Sequence, residues 1–539
     1  MERPLPWLPA VDPTGSENGV TVEPKGPADP VSSGPCTSRA LDRDRPVLGR
    51  VRWAAFGLQL AGLLAFSTFQ YARYALTKDF AGYAQAWWAI GRGHLDPWST
   101  AFGIRFWRNN AEFAMWALSL LYHLSPHPVV LLWVQDVVVV ATELVAFGWI
   151  AAYLGRSRLS RRAAALVAAG SLVALLLDPW VYETIAFDFH VEVFAALFVV
   201  LAGRDLWAGR RRRLWIWVPL ALASEALGGA YVIGVGISGV LAGKRTRATG
   251  LLLITAGLGW MLLLGAIGGD GLGGRGIDLW YGYLVGPHAV HVGVLGILAG
   301  VLRHPDLVAH MIALRWVVVA EFLAVAGIVG VASPWGFGPA LVVFVPNILN
   351  ADSDFLRILQ SFQSWPAIPF VLVGSVMVLV GATTAPGIRR EVAIAGAVTW
   401  ALVLFEATAI VLPTVPKYWI AVSAPAAAEL AAIRRETPVG TEVVASNGVI
   451  GRFGLRPYVY PLGYSPRTAA YGSLRPIPVK SSTVLFIITS RQGVGELSHA
   501  ETMAALSYVE KRLHARLLAD RYGIYVLTWS PPRGTTEIF

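Results

Sequence analysis

The stretch that decides the fold runs from Val51 to Tyr71 and reads VRWAAFGLQLAGLLAFSTFQY. It contains no charged residue after Arg52, and Arg50 and Arg73 flank it. A bilayer core of roughly 30 Å requires about 20 helical residues, and this stretch meets that length. It is therefore predicted to be a membrane-spanning helix.

The rest of the chain repeats this pattern. Further apolar runs lie at about 128–153, 163–178, 191–203, 214–226, 228–243, 249–268, 289–302, 316–333, 367–384 and 392–413. The 539-residue chain is 55% hydrophobic and only 14% charged, with a mean hydropathy of +0.55. Because ordinary soluble domains do not reach these values, we predict an α-helical polytopic membrane protein.

The net charge of +10 has a topological explanation. The basic residues lie in short groups between apolar runs, whereas a nucleic-acid-binding protein would concentrate them on one soluble surface. The single cysteine, Cys36, excludes a disulfide framework and a cysteine metal site within one chain. The charge pattern therefore favours a membrane protein without a nucleic-acid partner.

Basic clusters in four short loops predict the orientation, because short cytoplasmic loops carry an excess of Lys and Arg. The four loops contain Arg156, Arg158, Arg161 and Arg162; Arg204 with Arg210 to Arg213; Lys244, Arg245 and Arg247; and Arg389 with Arg390. We predict that these loops and the amino terminus are cytoplasmic.

The segment from Glu112 to Leu124 is important for this orientation, since a crossing there would invert every later loop. At about 13 residues it is too short to cross, so we predict an interfacial helix in a long outer loop, residues 72–127. The pattern then predicts eleven crossings, with the amino terminus inside and the carboxyl terminus outside.

The chain changes character after about residue 415. Strand-like runs at Glu442–Ala445, Thr483–Thr489 and Gly523–Thr528 alternate with helical patterns at 423–435 and 498–516. We predict that residues 416–539 form a small extracytoplasmic α/β domain, which follows a transmembrane domain at 49–415. Residues 1–48, rich in Pro, Gly, Ser and Asp, are predicted to be a disordered cytoplasmic tail.

Acids of the outer loops are the candidates for chemistry. Asp79 follows the first crossing, while Asp188, His190 and Glu192 place three ionisable groups at the mouth of the fourth. Such groups near lipid are costly unless they face a cavity, pair or serve a site. The alternatives are that Asp79 is a solvated loop acid, that Asp188 caps a helix and that His190 reaches out to water.

Other acids lie in or between apolar runs. Glu225 is at a turn between two short crossings, where it either joins the same cavity or ends a helix. Asp136 and Glu143 would share one face of the second crossing, and Glu321 and Glu406 also lie in apolar runs. These four acids either form an ion path or make hydrogen bonds between helices.

The residues around the outer acids resemble a family of bacterial predicted membrane proteins, domain of unknown function 2079. The resemblance covers about residues 50–465. It rests on Asp79, Gln85 and Trp88; on Phe187-Asp188-Phe189-His190 with Glu192; on Glu225; on Phe344 to Asn350; and on Val443 to Ser446. That family in turn resembles the type-C glycosyltransferases, polytopic enzymes that use polyprenyl-phosphate-linked sugars on the outer face of the membrane.

The resemblance implies a glycosyltransferase of the bacterial plasma membrane. Its donor would be a polyprenyl-phosphate-linked sugar among the membrane lipids, and its acceptor a cell-envelope polysaccharide or protein. Asp79 would be the catalytic base or would orient the acceptor hydroxyl. The further site residues implied are Gln85 and Glu225 for substrate; Arg105, Arg108 and Arg357 for phosphate; and Asp188, His190 and Glu192 for the acceptor, the lipid phosphate or a divalent cation, with Asp188 and Glu192 as ligands of Mg²⁺ or Mn²⁺.

The chain departs from the family pattern at three places. Ala84 stands where the family usually has a second aspartate, and Glu112 stands where a histidine is expected. Ser224 and Ala226 flank Glu225 where Lys and Asp are usual. The retained acids are compatible with an active enzyme, and the losses with a diverged or inactive one.

Two other classes of protein remain open. A transporter or lipid flippase would also be polytopic and would depend on Asp136 or Glu143 rather than on Asp79. A non-catalytic cell-envelope assembly protein would tolerate the loss of every outer-loop acid.

Overall fold

The computed structural model describes residues 45–268, 280–286, 293–351, 361–383, 387–411, 422–462, 476–489 and 497–539. The predicted disordered tail lies outside these residues, apart from residues 45–48, which belong to the first helix.

The described residues up to 411 are mainly helical. Its helices are α1 (Arg45–Ala72), α2 (Lys78–Ile90), α3 (Trp107–Asn110), α4 (Ala114–Leu118), α5 (Val129–Leu154), α6 (Arg161–Leu176), α7 (Pro179–Phe187), α8 (Glu192–Trp207), α9 (Arg211–Ser224), α10 (Gly228–Leu241), α11 (Lys244–Gly268), α12 (Gly293–Arg303), α13 (Pro305–Ala324), α14 (Pro334–Leu349), α15 (Ser361–Ser364), α16 (Ile368–Thr383) and α17 (Ile388–Val411). Local capping starts several of them: the Ser160 and Ser333 side chains accept hydrogen bonds from the first turns of α6 and α14.

Within the described residues, six helical segments are long and apolar enough to cross a membrane. They are Val129–Leu154, Arg161–Phe187, Lys244–Ile267, Pro305–Ala324, Phe362–Thr383 and Arg389–Ile410, and Gly228–Leu241 and Pro334–Leu349 are shorter apolar helices. The prediction of a polytopic helical membrane protein is confirmed, whereas the count of eleven crossings stays a prediction.

The helix bounds differ from the predicted crossings between residues 289 and 349. The run at 289–302 contains α12, which ends at Arg303 and at about 17 Å is too short to cross by itself. The run at 316–333 is the second half of α13 and a following 3-10 helix, Ile328–Ala332. Helix α14 was not predicted, because Pro339 and Pro346 interrupt its apolar run.

Helices α13 and α14 pack antiparallel. Arg315 Nη1 donates to the backbone oxygen of Asn347 at 2.7 Å, and one turn or more further along, the Phe322 ring packs against Phe344. The chain therefore reverses direction between α13 and α14 before it enters α16.

The first long loop, residues 73–128, folds into short elements. Strands β1 (Trp98–Ser99) and β2 (Ile104–Arg105) pair antiparallel between α2 and α3. The segment from Glu112 to Leu124 contains α4 and a 3-10 helix, Ser119–His123. Neither element is long enough to cross a membrane, while the predicted interfacial position stays a prediction.

The C-terminal residues form a small α/β domain. Its strands are β3 (Glu442–Ala445), β4 (Val459–Pro461), β5 (Ile477–Pro478), β6 (Val484–Thr489), β7 (Arg516–Arg521), β8 (Ile524–Trp529) and β9 (Glu537–Ile538), and its helices are α18 (Ala424–Glu436) and α19 (His499–Lys511). Five strands form one sheet in the order β4-β3-β6-β8-β7, in which β3 is parallel to β4 and β6. The predicted strands agree with β3, β6 and β8 to within one residue.

The C-terminal domain packs on α2. Gly451 donates its backbone N–H to the Leu76 carbonyl at 3.1 Å, and the Asn447 side chain accepts from the Lys78 backbone N–H at 2.9 Å. A Cβ on Gly454 would lie 2.6 Å from the Ala81 carbonyl oxygen, so the two backbones are in close contact. This packing fixes the amino end of α2 between the domain and the helical bundle.

Two acids inside the bundle serve contacts between α1 and α5. Gln59 Nε2 donates to Glu143 at 2.7 Å, and the Ser67 hydroxyl donates to Asp136 at 3.0 Å. Hydrogen bonding between helices is thus one role of these acids. Glu321 and Glu406 instead lie exposed on the surfaces of α13 and α17.

Candidate functional site

Asp188 caps a helix of the first loop. Its Oδ2 atom accepts hydrogen bonds from the Thr77 backbone N–H at 2.8 Å, the Thr77 hydroxyl at 2.6 Å and the Phe80 backbone N–H at 3.4 Å. These donors surround the start of α2, where unpaired N–H groups favour a negative charge. Asp188 therefore caps α2, which is distant in sequence, whereas α8, the helix that follows Asp188, has no side-chain cap.

The backbone at Asp188 is held in a rare conformation. Its φ of 145° is unusual for a residue with a Cβ and costs about 1–3 kcal/mol. Gln135 of α5 compensates, since its side chain donates to the Asp188 carbonyl and accepts from the His190 backbone N–H, both at 2.7 Å. This strained link directs the Asp188 carboxylate toward α2.

The Asp188 carboxylate is fully buried. Burial raises its pKa well above the ordinary value, and the hydrogen bonds from Thr77 oppose that rise. Its second oxygen, Oδ1, has no hydrogen-bond partner among the described residues.

Asp79 lies in the first turn of α2, between the two residues that Asp188 contacts. Its carboxylate is 3.5 Å from Lys78 Nζ, and its side chain is 26% exposed. The charge of Asp79 also acts on Asp188, His190 and Glu192. The structure therefore brings the predicted catalytic residue together with the Asp188–Glu192 segment, while leaving it accessible.

His190 is buried in an aromatic setting. Its ring stacks on Phe362 with centroids 3.7 Å apart and lies edge-on to Tyr83 at 6.1 Å. Burial lowers the His190 pKa to about 4, so the imidazole is neutral at pH 7. His190 therefore does not reach out to water as the alternative required. Its Nδ1 lies 3.8 Å from Glu192 Oε2, but the neutral imidazole carries no positive charge that would offset a negative charge on Glu192.

Three buried glutamates extend the site behind Asp79. The Tyr83 hydroxyl donates to Glu112 at 2.8 Å, and Glu112, Glu192 and Glu225 are each at most 3% exposed. The charges that act on Glu225 are those of Glu192 and Glu112. Glu192 Oε2 and Glu225 Oε1 have no hydrogen-bond partners among the described residues, so both can accept hydrogen bonds from a ligand.

Packing between small residues brings Glu112 and Glu225 together. Their sequence neighbours Ala111 and Ala226 belong to one buried cluster with Leu264. Ala111 has a φ of 53°, which turns the chain after α3. Glu225 is the residue at which α9 ends, as one of the two alternatives for its sequence position expected, and it also lies near Glu112.

The possible metal ligands of the site are few. Among the described residues, no group of three or more His, Cys, Asp or Glu side chains is arranged to hold one. Asp188 Oδ2 is already occupied by its three donors. A divalent cation at Asp188 and Glu192 stays a prediction.

The other predicted substrate residues have different surroundings. Gln85 donates to the Thr100 hydroxyl and to the carbonyls of Arg456 and Pro457, and its Oε1 accepts from the Thr100 backbone N–H. These contacts tie the first loop to the C-terminal domain, and a substrate contact by Gln85 stays a prediction. Arg357 lies outside the described residues.

Two arginines proposed for phosphate lie on the loop surface. Arg105 pairs with Asp96 at 3.5 Å, and Arg108 is exposed, with its guanidinium carbon 5.8 Å from the Trp107 ring.

Several residues of the site were not predicted from the sequence. Thr77 and Gln135 contact Asp188, Phe362 contacts His190, and Tyr83 contacts Glu112, all from segments distant in sequence. Glu112 was noted as a departure from a family pattern, and the buried tyrosine that it pairs with gave no separate sequence signal.

The comparisons with known proteins agree with a membrane family. The DUF2079 family model, described as a predicted membrane protein, matches residues 72–488. No curated protein matches the chain. The crystal structure of ArnT from Cupriavidus metallidurans in the apo state is similar over 89% of this chain and 100% of that chain, at 13% identity and a TM-score of 0.41. Because the family match spans more than half of the sequence, this chain belongs to the DUF2079 family of predicted membrane proteins.

Proposed function

We propose that this protein is a membrane glycosyltransferase that transfers a sugar from a polyprenyl-phosphate donor to a cell-envelope acceptor. The observation that carries the proposal is the position of Asp79, an accessible carboxylate held beside a buried cluster of acids at the junction of bundle and C-terminal domain. Clustered carboxylates disfavour one another's ionisation, and such arrangements are concentrated at functional sites.

The chemistry can be assigned to residues. An acceptor hydroxyl would attack the anomeric carbon of the donor sugar, the carbon–oxygen bond to phosphate would break, and polyprenyl phosphate would leave with the bonding electrons. Asp79 would take the proton of the acceptor hydroxyl or orient that hydroxyl. Glu192 and Glu225 would accept hydrogen bonds from hydroxyl groups of the sugar or the acceptor.

The proposal includes the topology. Eleven crossings, with the amino terminus in the cytoplasm, would place Asp79 and the C-terminal domain at the outer face of the membrane. Helix α14 would replace the run at 289–302 as a crossing, which keeps the count and the parity unchanged. Acceptors of the cell envelope would then reach the site directly.

The transporter alternative has less support from the contacts. It depends on Asp136 and Glu143, and both make hydrogen bonds between α1 and α5. Among the described residues, no comparable contact joins the Asp79 side chain to another helix. Its ion pair is with the adjacent Lys78.

The experiment is a release assay with the purified full-length protein in lipid. A panel of polyprenyl-phosphate-linked sugars would be supplied with cell-envelope acceptors, and free polyprenyl phosphate would be measured. We expect release with one donor and its acceptor. Movement of lipid-linked sugar across the bilayer without release would instead identify a flippase, and neither activity would indicate an assembly protein.

A further inference from the structure

A cluster of arginines lies where α1 meets the C-terminal domain. The Arg452 guanidinium carbon is 4.5 Å from the Tyr71 ring centroid and 4.3 Å from the Tyr74 ring centroid. Its Nη1 donates to the Ala72 carbonyl at 3.4 Å. Arg452 of the domain therefore sits directly on the last turn of α1.

Two more arginines complete this cluster. The charge of Arg434, on α18, acts on Tyr74 and on His127, as the charge of Arg452 does. Arg73 follows α1 directly, with its guanidinium carbon 5.7 Å from the Phe69 ring. Arg73 and Arg452 thus both lie at the end of α1, and Arg434 acts on the same Tyr74 ring that Arg452 contacts.

The arginine cluster has no acidic counterpart in the part of the chain that the structure describes. The ion pairs found there join other residues, for example Arg521 with Glu429 and Arg105 with Asp96. The Nε atoms of Arg73, Arg434 and Arg452 are buried and make no hydrogen bond to any described residue. Because like charges repel, an anion at this point would stabilise the cluster.

An apolar groove leads to the arginine cluster along α1. It is lined by Leu64, Ala65, Thr68, Phe69, Ala72 and Trp133. Phe69 and Ala72 contact Arg73 and Arg452, respectively, so the groove ends at the cations. A groove of this composition fits a hydrocarbon chain, and its charged end fits an anionic head group.

We propose that the groove and the arginine cluster together bind a lipid phosphate with one apolar chain. The chain lies against Ala65 and Trp133, and the phosphate lies against Arg73, Arg434 and Arg452. This inference rests on the proposed function, because the leaving group proposed there, polyprenyl phosphate, is a lipid phosphate of this kind. Arg73 lies six residues before Asp79 in the chain, between the end of α1 and the start of α2.

The test measures binding, which does not require transfer. Full-length protein in neutral-lipid nanodiscs would be titrated with undecaprenyl phosphate, and the dissociation constant would be measured. We expect Arg434→Ala to weaken binding about tenfold or more, since it removes a charge-assisted contact. Arg435→Ala is the matched control, because Arg435 is the exposed neighbour on the same helix, and it should leave the affinity unchanged.

A second variant tests the groove without altering charge. Ala65→Trp fills the exposed groove and should weaken undecaprenyl phosphate binding while leaving any binding of inorganic phosphate unchanged. Equal affinity for inorganic phosphate, for phosphatidylglycerol and for undecaprenyl phosphate would overturn the proposal, as would wild-type affinity in both variants. Binding that depends on Arg434 in a protein without transfer activity would support this site and contradict the proposed function alone.

Discussion

The Oδ2 atom of Asp188 lies 2.6 Å from the Thr77 hydroxyl and 2.8 Å from the Thr77 backbone nitrogen. Through this contact the loop before α8 holds the start of the helix that carries Asp79. We therefore regard Asp188 as a positioning residue for Asp79.

The first prediction separates positioning from direct binding by Asp188. Asp188→Ala leaves the N–H groups of Thr77 and Phe80 uncapped and should lower the free energy of unfolding by about 1–2 kcal/mol. Asp188→Asn keeps an acceptor oxygen and should recover most of that stability and of the sugar transfer. Denaturation in detergent and the release assay measure both quantities. If Asn is as damaging as Ala to transfer while remaining stable, the charge of Asp188 acts directly on a ligand.

The second prediction concerns the packing of the C-terminal domain on α2. A Cβ on Gly454 would lie 2.6 Å from the Ala81 carbonyl oxygen and 3.0 Å from the Ala84 Cβ. Gly454→Ala should therefore cost about 1–3 kcal/mol of stability and expose the domain to limited proteolysis. Gly440→Ala in the same domain meets nothing within 4 Å and should be tolerated. Equal protease resistance of both variants would contradict this packing.

The packing of the C-terminal domain on α2 also involves Ala84, which stands where the family usually has an aspartate. Ala84 is fully buried, and its Cβ lies 3.0 Å from the position that a Cβ on Gly454 would occupy. An aspartate at position 84 would need space and hydrogen-bond partners at this contact, so Ala84→Asp should destabilise the domain at least as much as Gly454→Ala.

The third prediction is a pH dependence from His190. Its pKa is lowered by burial to about 4 in the folded protein, against about 6.5 when unfolded. Between these values the unfolded chain binds more protons, so stability falls as the pH drops from 7 to 5. This loss should be about 2 kcal/mol larger in the wild type than in His190→Gln. His123→Gln removes an exposed histidine and should keep the wild-type pH dependence. If His190→Gln lost as much stability between pH 7 and pH 5 as the wild type, groups other than His190 would cause the pH dependence.

The fourth prediction concerns orientation. A reporter that is active only outside the cytoplasm should work when fused after Phe539 and should fail when placed in the loop at Arg210 to Arg213, because basic loops stay in the cytoplasm. The opposite pattern would place Asp79 on the cytoplasmic side and contradict an extracytoplasmic acceptor.

Much of the fold could be predicted because membrane helices and short strands leave local patterns. The apolar run of α5 and the strand Glu442–Ala445 have bounds that agree with the structure to within a residue or two. Helix α14 was missed since its two prolines break the run, although neighbouring helices cover its backbone. Helix α14 is stabilised by packing against other helices, and a local sequence pattern carries no information about such packing.

The site was predicted in part for the same reason. Asp188, His190 and Glu192 are conspicuous because three ionisable groups lie together beside an apolar run. Their functions depend on Thr77, Gln135 and Phe362, which are brought in by tertiary contacts. The residue types were visible in the sequence, but the division into a capping aspartate and a pocket of glutamates was not.

The central claim is that Asp79 acts on the acceptor, and the direct test compares two aspartates of the same loop. Asp79 is 26% exposed and 3.5 Å from Lys78 Nζ, while Asp96 is 28% exposed and 3.5 Å from Arg105 Nη1. Each would be changed to Asn in the full-length protein, and release of polyprenyl phosphate from the preferred donor would be measured. We predict that Asp79→Asn slows release about 100-fold or more and that Asp96→Asn leaves it near the wild-type rate. Wild-type release by a stably folded Asp79→Asn protein would contradict the account.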